Sequence, residues 1–169
     1  MSSILKVDQI QLSNGNTPTA GDLGLNDTGS VLQVVQSVLS TQTTIQTTSL
    51  LDTGMTATIT PTSSSSKILV LCSIQSTIQG ANGSWAGWYE LLRGSTSIAG
   101  TARQWTQDNN TSGNQADGTT MKIDFLDSPS TTSATTYKVQ GKMGNASYPM
   151  QVNNGNIGES TITLMEIAG

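Results

Sequence analysis

The chain has 169 residues, seven of them basic and eleven acidic, for a net charge of −4, and it contains no histidine. Its cations stand singly at Lys6, Lys67, Arg93, Arg103, Lys122, Lys138 and Lys142. No cluster neutralises several phosphates, which argues against nucleic-acid binding, and no apolar run approaches the length of a membrane span. With 34% hydrophobic residues, 17 glycines, 22 serines and 26 threonines, the composition fits one loop-rich β domain better than a helical or disordered chain.

Residues 1–30 read as an extended N-terminal arm. Ile4 to Leu12 is expected to form one strand, and Asn14-Gly15-Asn16-Thr17-Pro18 and Gly21-Asp22-Leu23-Gly24 supply turn formers. Such a segment buries little against itself, so it is expected to lie on a neighbour. The first eight residues lack the charged-then-apolar order of a signal peptide, which predicts synthesis in a cytoplasm.

Val31 to Leu39 is where helix and strand compete. Apolar residues at 31, 32, 34, 35, 38 and 39 match a helical stripe, but the valines gain little from a helix and no charged pair supports one. A strand with a bulge is favoured. Thr43 to Leu51 and Met55 to Thr60 are expected as strands around a turn at Asp52-Thr53-Gly54. Pro61 and four serines at 63–66 then lead into Lys67 to Ile74, the longest strongly apolar run. Lacking alternation, it is predicted to be buried on both faces and covered by a second sheet.

Gly80 to Ser84 reads as a glycine-rich loop, Trp85 to Arg93 as an aromatic-rich strand, and Arg93-Gly94-Ser95 as the centre of a tight hairpin. Gln107 to Thr120 reads as an exposed polar loop. Met121 to Leu126 alternates, with Met121, Ile123 and Phe125 on one face. Thr135 to Gln140 and Thr161 to Ile167 are the last clear strands, with a turn at Asn153-Asn154-Gly155-Asn156 between them. The sum is around ten strands, an all-β sandwich or jelly roll over 31–169 behind the arm.

Catalytic chemistry finds little support. Without histidine there is no Ser-His-Asp or Cys-His machinery, one cysteine cannot make a paired zinc motif, and no glycine-rich loop precedes Lys-Ser or Lys-Thr. The pairs Asp124 with Asp127 and Asp108 with Asp117 are better read as solvated charges than as acid and base. Asp108, Asn109, Asn110 and Asp117 offer hard oxygens to calcium, although their spacing does not require it. Cys72, inside the most apolar strand, reads as buried packing. Trp85, Trp88 and Trp105 are candidate ligand contacts for a sugar or protein, with core or intersubunit packing the more favoured role. No cofactor, metal or catalytic residue is expected. The sequons at Asn82, Asn109, Asn110 and Asn145 carry little meaning in a chain with no secretory signal.

The run from Ile4 to Gln11, followed by Thr28 to Gln36, resembles the start of many structural proteins of tailed phages, especially those of cyanobacteria. Pro61 to Leu71, Leu92 to Ala99, Leu126 to Pro129 with Thr136 to Gln140, and the ending Ile162 to Ala168 are similar to phage appendage domains with jelly-roll heads of the complement and tumour-necrosis-factor type. The resemblance implies a homotrimer on a virion. Residues 1–30 leave no room for a fibre shaft, so it points to a capsid decoration or cement protein, or a short head-surface spike, bound to the major capsid protein or another virion protein. Under it Ile4, Leu5, Val7 and Ile10 are expected in attachment and Val31, Val34 and Val35 in trimer packing. The alternative is a tail-fibre or receptor-binding tip that recognises a host surface glycan.

Overall fold

The computed structural model describes residues 10–19, 21–23, 28–80, 83–108, 115–155 and 158–169, and within these leaves the side chains of 100, 101, 108 and 115 undescribed. Most of the expected strand over 4–12 lies outside that set. Its last residues, 10–12, are not in a strand, and Leu12 instead closes a turn on Asn16 around Gly15, which sits at φ 83°.

Ten strands form the rest: β1 (Val31–Leu39), β2 (Thr43–Ile45), β3 (Leu51–Ile59), β4 (Lys67–Gly80), β5 (Gly83–Arg93), β6 (Thr96–Asp108), β7 (Gln115–Asp127), β8 (Thr135–Met143), β9 (Met150–Val152) and β10 (Ser160–Ile167). They make two antiparallel sheets. The first runs β1-β10-β4, with β7 along the other edge of β4 and the short β9 and β2 beyond its upper half, and the second runs β3-β8-β5-β6. Successive long strands mostly cross from one sheet to the other, and only β5 and β6 form a hairpin within a sheet. This is the jelly-roll order.

β1 is a strand, with its irregularity between Val31 and Gln33 as expected. One turn read from sequence is not a turn. Asp52-Thr53-Gly54 lies inside β3, where Gly54, at φ 88°, accommodates a register shift between Asp52 and Thr56; left-handed backbone that signals a turn serves equally for a bulge. Of the expected Gly80–Ser84 loop, Gly80 belongs to β4 and residues 83–84 to β5, while 81–82 lie outside the described residues. Gly80 has no room for a side chain, since a Cβ there would meet the Trp85 indole. The 107–120 loop likewise gives its shoulders to β6 and β7, leaving 109–114 outside the described residues. At the hairpin, Gly94 takes the first central position at φ 60°, the conformation that matches strand twist.

The core lies between the sheets. From β4 come Ile68, Val70, Cys72, Ile74 and Ile78, and from β10 Ile162 and Leu164; Tyr89, Leu91, Tyr137 and Val139 face them. β4 is therefore buried on one side only. Leu69 and Leu71, on its other side, are half-buried, which corrects the expectation of a strand covered on both faces.

Two groups of polar side chains inside this core are paired across the gap. Tyr89 donates to Ser76 Oγ at 2.6 Å, Ser76 donates to Gln104 Oε1, and Gln104 Nε2 donates to the Asp117 carbonyl at 3.0 Å. At the other end Asp127 accepts from Arg93 at 2.8 Å and from Tyr137 at 2.7 Å. These links fix the sheets at both ends of the sandwich.

Candidate functional site

The register defines a base and a top. Gly29 donates to the Ala168 carbonyl at 2.7 Å and Ala168 to the Ser30 carbonyl at 2.8 Å, so the chain enters the sandwich beside the point where it leaves. Of the residues expected in attachment, Ile4, Leu5 and Val7 lie outside the described residues, and Ile10 is exposed. The hairpin at Gly94 shares the base, whereas β4 and β6 end, and β5 and β7 begin, at the opposite end, the top.

On the outer side of the first sheet the pairing builds an apolar row. Val34 stands opposite Met165, Met165 opposite Leu69, and Leu69 opposite Leu126, across β1, β10, β4 and β7 in turn. Val34 is 54% exposed, and Val31, Val38 and Leu126 are exposed as well. Leu71 and Ile167 continue the face on β4 and β10. Apolar side chains thus stand side by side on the open face of four adjacent strands. Val31 and Val34 belong to it. Val35 does not: it points the other way and packs against the core, because the strand alternates and neighbouring positions face opposite sides.

The carboxylates do not assemble. Asp124 is exposed on the outer face of β7, whereas Asp127 is buried on the inner face with Arg93 and Tyr137, so they cannot act as a pair. Asp117 is exposed and contributes its backbone carbonyl to Gln104; Asn109, Asn110 and the Asp108 side chain are outside the described residues. Among the described residues no group of three or more His, Cys, Asp or Glu side chains could hold a metal. No helix among them is long and apolar enough to cross a membrane. Cys72 is buried, and burial first, then the Asp124 charge, pushes its thiol up to about 12. Such a thiol is a packing group rather than a nucleophile.

The three tryptophans divide between two roles. Trp85 is 7% exposed, faces inward and stacks on Tyr148 at 4.6 Å between ring centroids; it closes the upper end of the core. Trp88 and Trp105 face outward on the second sheet. Arg103 stands opposite Trp88 across β5 and β6, with its guanidinium carbon 5.4 Å from the indole centroid, and Lys142 flanks Trp88 on β8. In the next row Trp105 faces Ala86, and Gly144 lies beyond, its N–H bonded to the Ala86 carbonyl at 2.9 Å. The small residues leave a depression between the indoles. It is a cleft of about 460 Å3 that Arg103, Asn145 and Tyr148 also line, within the size range of small-ligand sites, roughly 300–1,000 Å3.

No protein-family model matches the chain, and no curated protein does. Two residue groups escaped sequence reading. Leu69 carried a signal, since an apolar residue between Ile68 and Val70 must occupy the opposite face. Lys142 and Gly144 carried none, because only the β5–β8 register brings them beside Trp88.

Proposed function

We propose that this protein is a structural component of a phage virion, a homotrimer that decorates or cements the capsid or stands on it as a short spike. The observation that carries the self-assembly part is the row Val34, Met165, Leu69, Leu126, which puts apolar side chains on the outside of four adjacent strands. Around a threefold axis each copy would cover part of this face on its neighbour, and the driving force would be removal of apolar surface from water. The meeting of residues 29–30 with Ala168 supports the attachment part. It starts the N-terminal segment from one end of the sandwich, where it can reach a virion surface while the top stays free. The protein then works by adding interface area between capsid subunits, and it requires no catalytic group.

Cryo-electron microscopy of virions with and without the protein tests this reading. Symmetry-related density on the shell, together with particles that rupture more easily without it, is the expected result. Density confined to the tail or baseplate would overturn decoration and leave host recognition as the leading role.

A further inference from the structure

The outer face of the second sheet carries a feature that capsid cementing does not use. Trp105 is 54% exposed, and among the described residues no ring or cation stacks on it. A large indole left open on a sheet loses contact with water only when something apolar and flat covers it. Trp88, on the same face, is held in place. Arg103 covers it, and the Gly144 backbone runs so close that a Cβ at 144 would come within 2.9 Å of the ring. The fixed Trp88 and the open Trp105 stand over a floor of Ala86 and Gly144, a shelf with one preorganised wall.

Trp88 is also a partition. On its far side lies a second cleft of about 400 Å3, lined by Thr48, Lys142, Met143 and Gly144, whose wall is braced by the Met143 N–H bonded to the Thr47 carbonyl at 2.8 Å. Each cleft holds one cation, Arg103 in the first and Lys142 in the second. These are two of only seven basic residues in an acidic chain. Arg93 and Lys138 are committed to Asp127 and Asp52; among the described residues Arg103 and Lys142 form no ion pair, even though Glu90 follows Trp88 on the same face.

We propose that this double cleft binds an acidic oligosaccharide, with successive sugar rings lying on either side of the Trp88 indole and carboxylate or sulfate groups meeting Arg103 and Lys142. The apolar C–H face of a pyranose suits an open indole such as Trp105. Hydroxyls suit the polar rim at Ser84 and Asn145. A polydeoxynucleotide suits the rim less well, because a pyranose presents several hydroxyls per ring to Ser84 and Asn145 where a deoxynucleotide backbone presents none. The site lies on the opposite sheet from the apolar row, so it stands whether or not the protein is a trimer.

The test is titration of the full-length protein with galacturonate, mannuronate and chondroitin sulfate tetramers, read by tryptophan fluorescence and calorimetry. Methyl-esterified tetragalacturonate and oligothymidylate serve as comparison ligands. Saturable binding of at least one acidic tetramer is expected. Trp105→Ala and Arg103→Gln should each weaken it about tenfold or more, the factor that about 1.4 kcal/mol carries, and esterification should weaken galacturonate binding if that is the tetramer bound. Because both side chains are exposed, these variants should keep the parent melting temperature, and Trp105→Phe should recover part of the affinity. No saturable binding of any of the three tetramers, unchanged affinity in Trp105→Ala, or tighter binding of oligothymidylate would each overturn the proposal.

Discussion

Glu166 and Thr62 are joined twice: the Thr62 N–H and hydroxyl each donate to Glu166 Oε1 at 2.7 Å. Glu166 is fully buried near the base, and Gln33 Nε2 donates to its other oxygen at 2.5 Å. One carboxylate therefore ties β10 to the irregular start of β1 and to the loop that leads into β4. Glu166 shares the inward face of β10 with Ile162 and Leu164.

That arrangement makes stability depend on acid. Burial raises the Glu166 pKa, but the hydrogen bonds from Gln33 and Thr62 outweigh it and hold the carboxyl at about 2, against an ordinary 4.5. A folded pKa below the unfolded one gives stability that is fully present above about pH 4.5 and is lost as pH falls towards 2. Urea midpoints measured from pH 6 down to 2.5 should fall in that window. Glu166→Gln should cost about 1–3 kcal/mol at neutral pH, since its amide N–H2 would face donors, and should flatten the decline. An equally steep decline in the variant would assign it to other carboxylates.

Ser76 is predicted to be the most sensitive polar position in the core. It accepts from Tyr89 and donates to Gln104. Ser76→Ala would orphan two buried groups at about 1–3 kcal/mol each, whereas Tyr89→Phe removes a donor and leaves Ser76 bonded to Gln104. Chemical denaturation should therefore rank Ser76→Ala as clearly the more damaging, with the double variant less destabilised than the sum. Additive losses would show that the three residues do not act as a chain.

Cys72 should be silent in the native protein. With its thiol pushed up to about 12, chiefly by burial, almost no thiolate exists at pH 8. A disulfide exchange reagent should label one thiol per chain only after denaturant is added. Asp124→Asn should change this little, because Asp124 is the lesser cause. Rapid labelling of the native protein would place the thiol in contact with solvent.

Alternation made much of this fold legible. Met121, Ile123 and Phe125 do face the core, and Thr161 to Ile167 is a strand as expected. The misreadings came from glycine, whose freedom signals turns and bulges alike, as at Gly54. They came also from polar stretches such as Gln75 to Gly80 and Gln115 to Thr120, which are strands because thirteen consecutive β4–β7 register pairs, Ile68↔Asp127 to Gly80↔Gln115, include them. Pairing across a sheet is set by partners distant in sequence. For the same reason the apolar row and the Trp88 clefts needed the registers to be seen.

The apolar outer face, proposed above for self-association, yields the sharpest contrast, because Val34 and Val35 are adjacent in sequence and opposite in facing. Val34→Asp places a carboxylate on the open outer face, where the separate protomer can hydrate it, so the variant should fold with nearly the parent melting temperature. In a trimer packed through that face, each copy would bury an unpaired charge at a cost of several kcal/mol, and light scattering should show the mass falling from three chains to one. Val35→Asp puts the same charge against the core and should instead lower the melting temperature sharply or prevent folding. A trimeric Val34→Asp protein would mean that the subunits meet elsewhere, and Leu126→Asp, at the far end of the same row, would then be expected to leave the mass unchanged too.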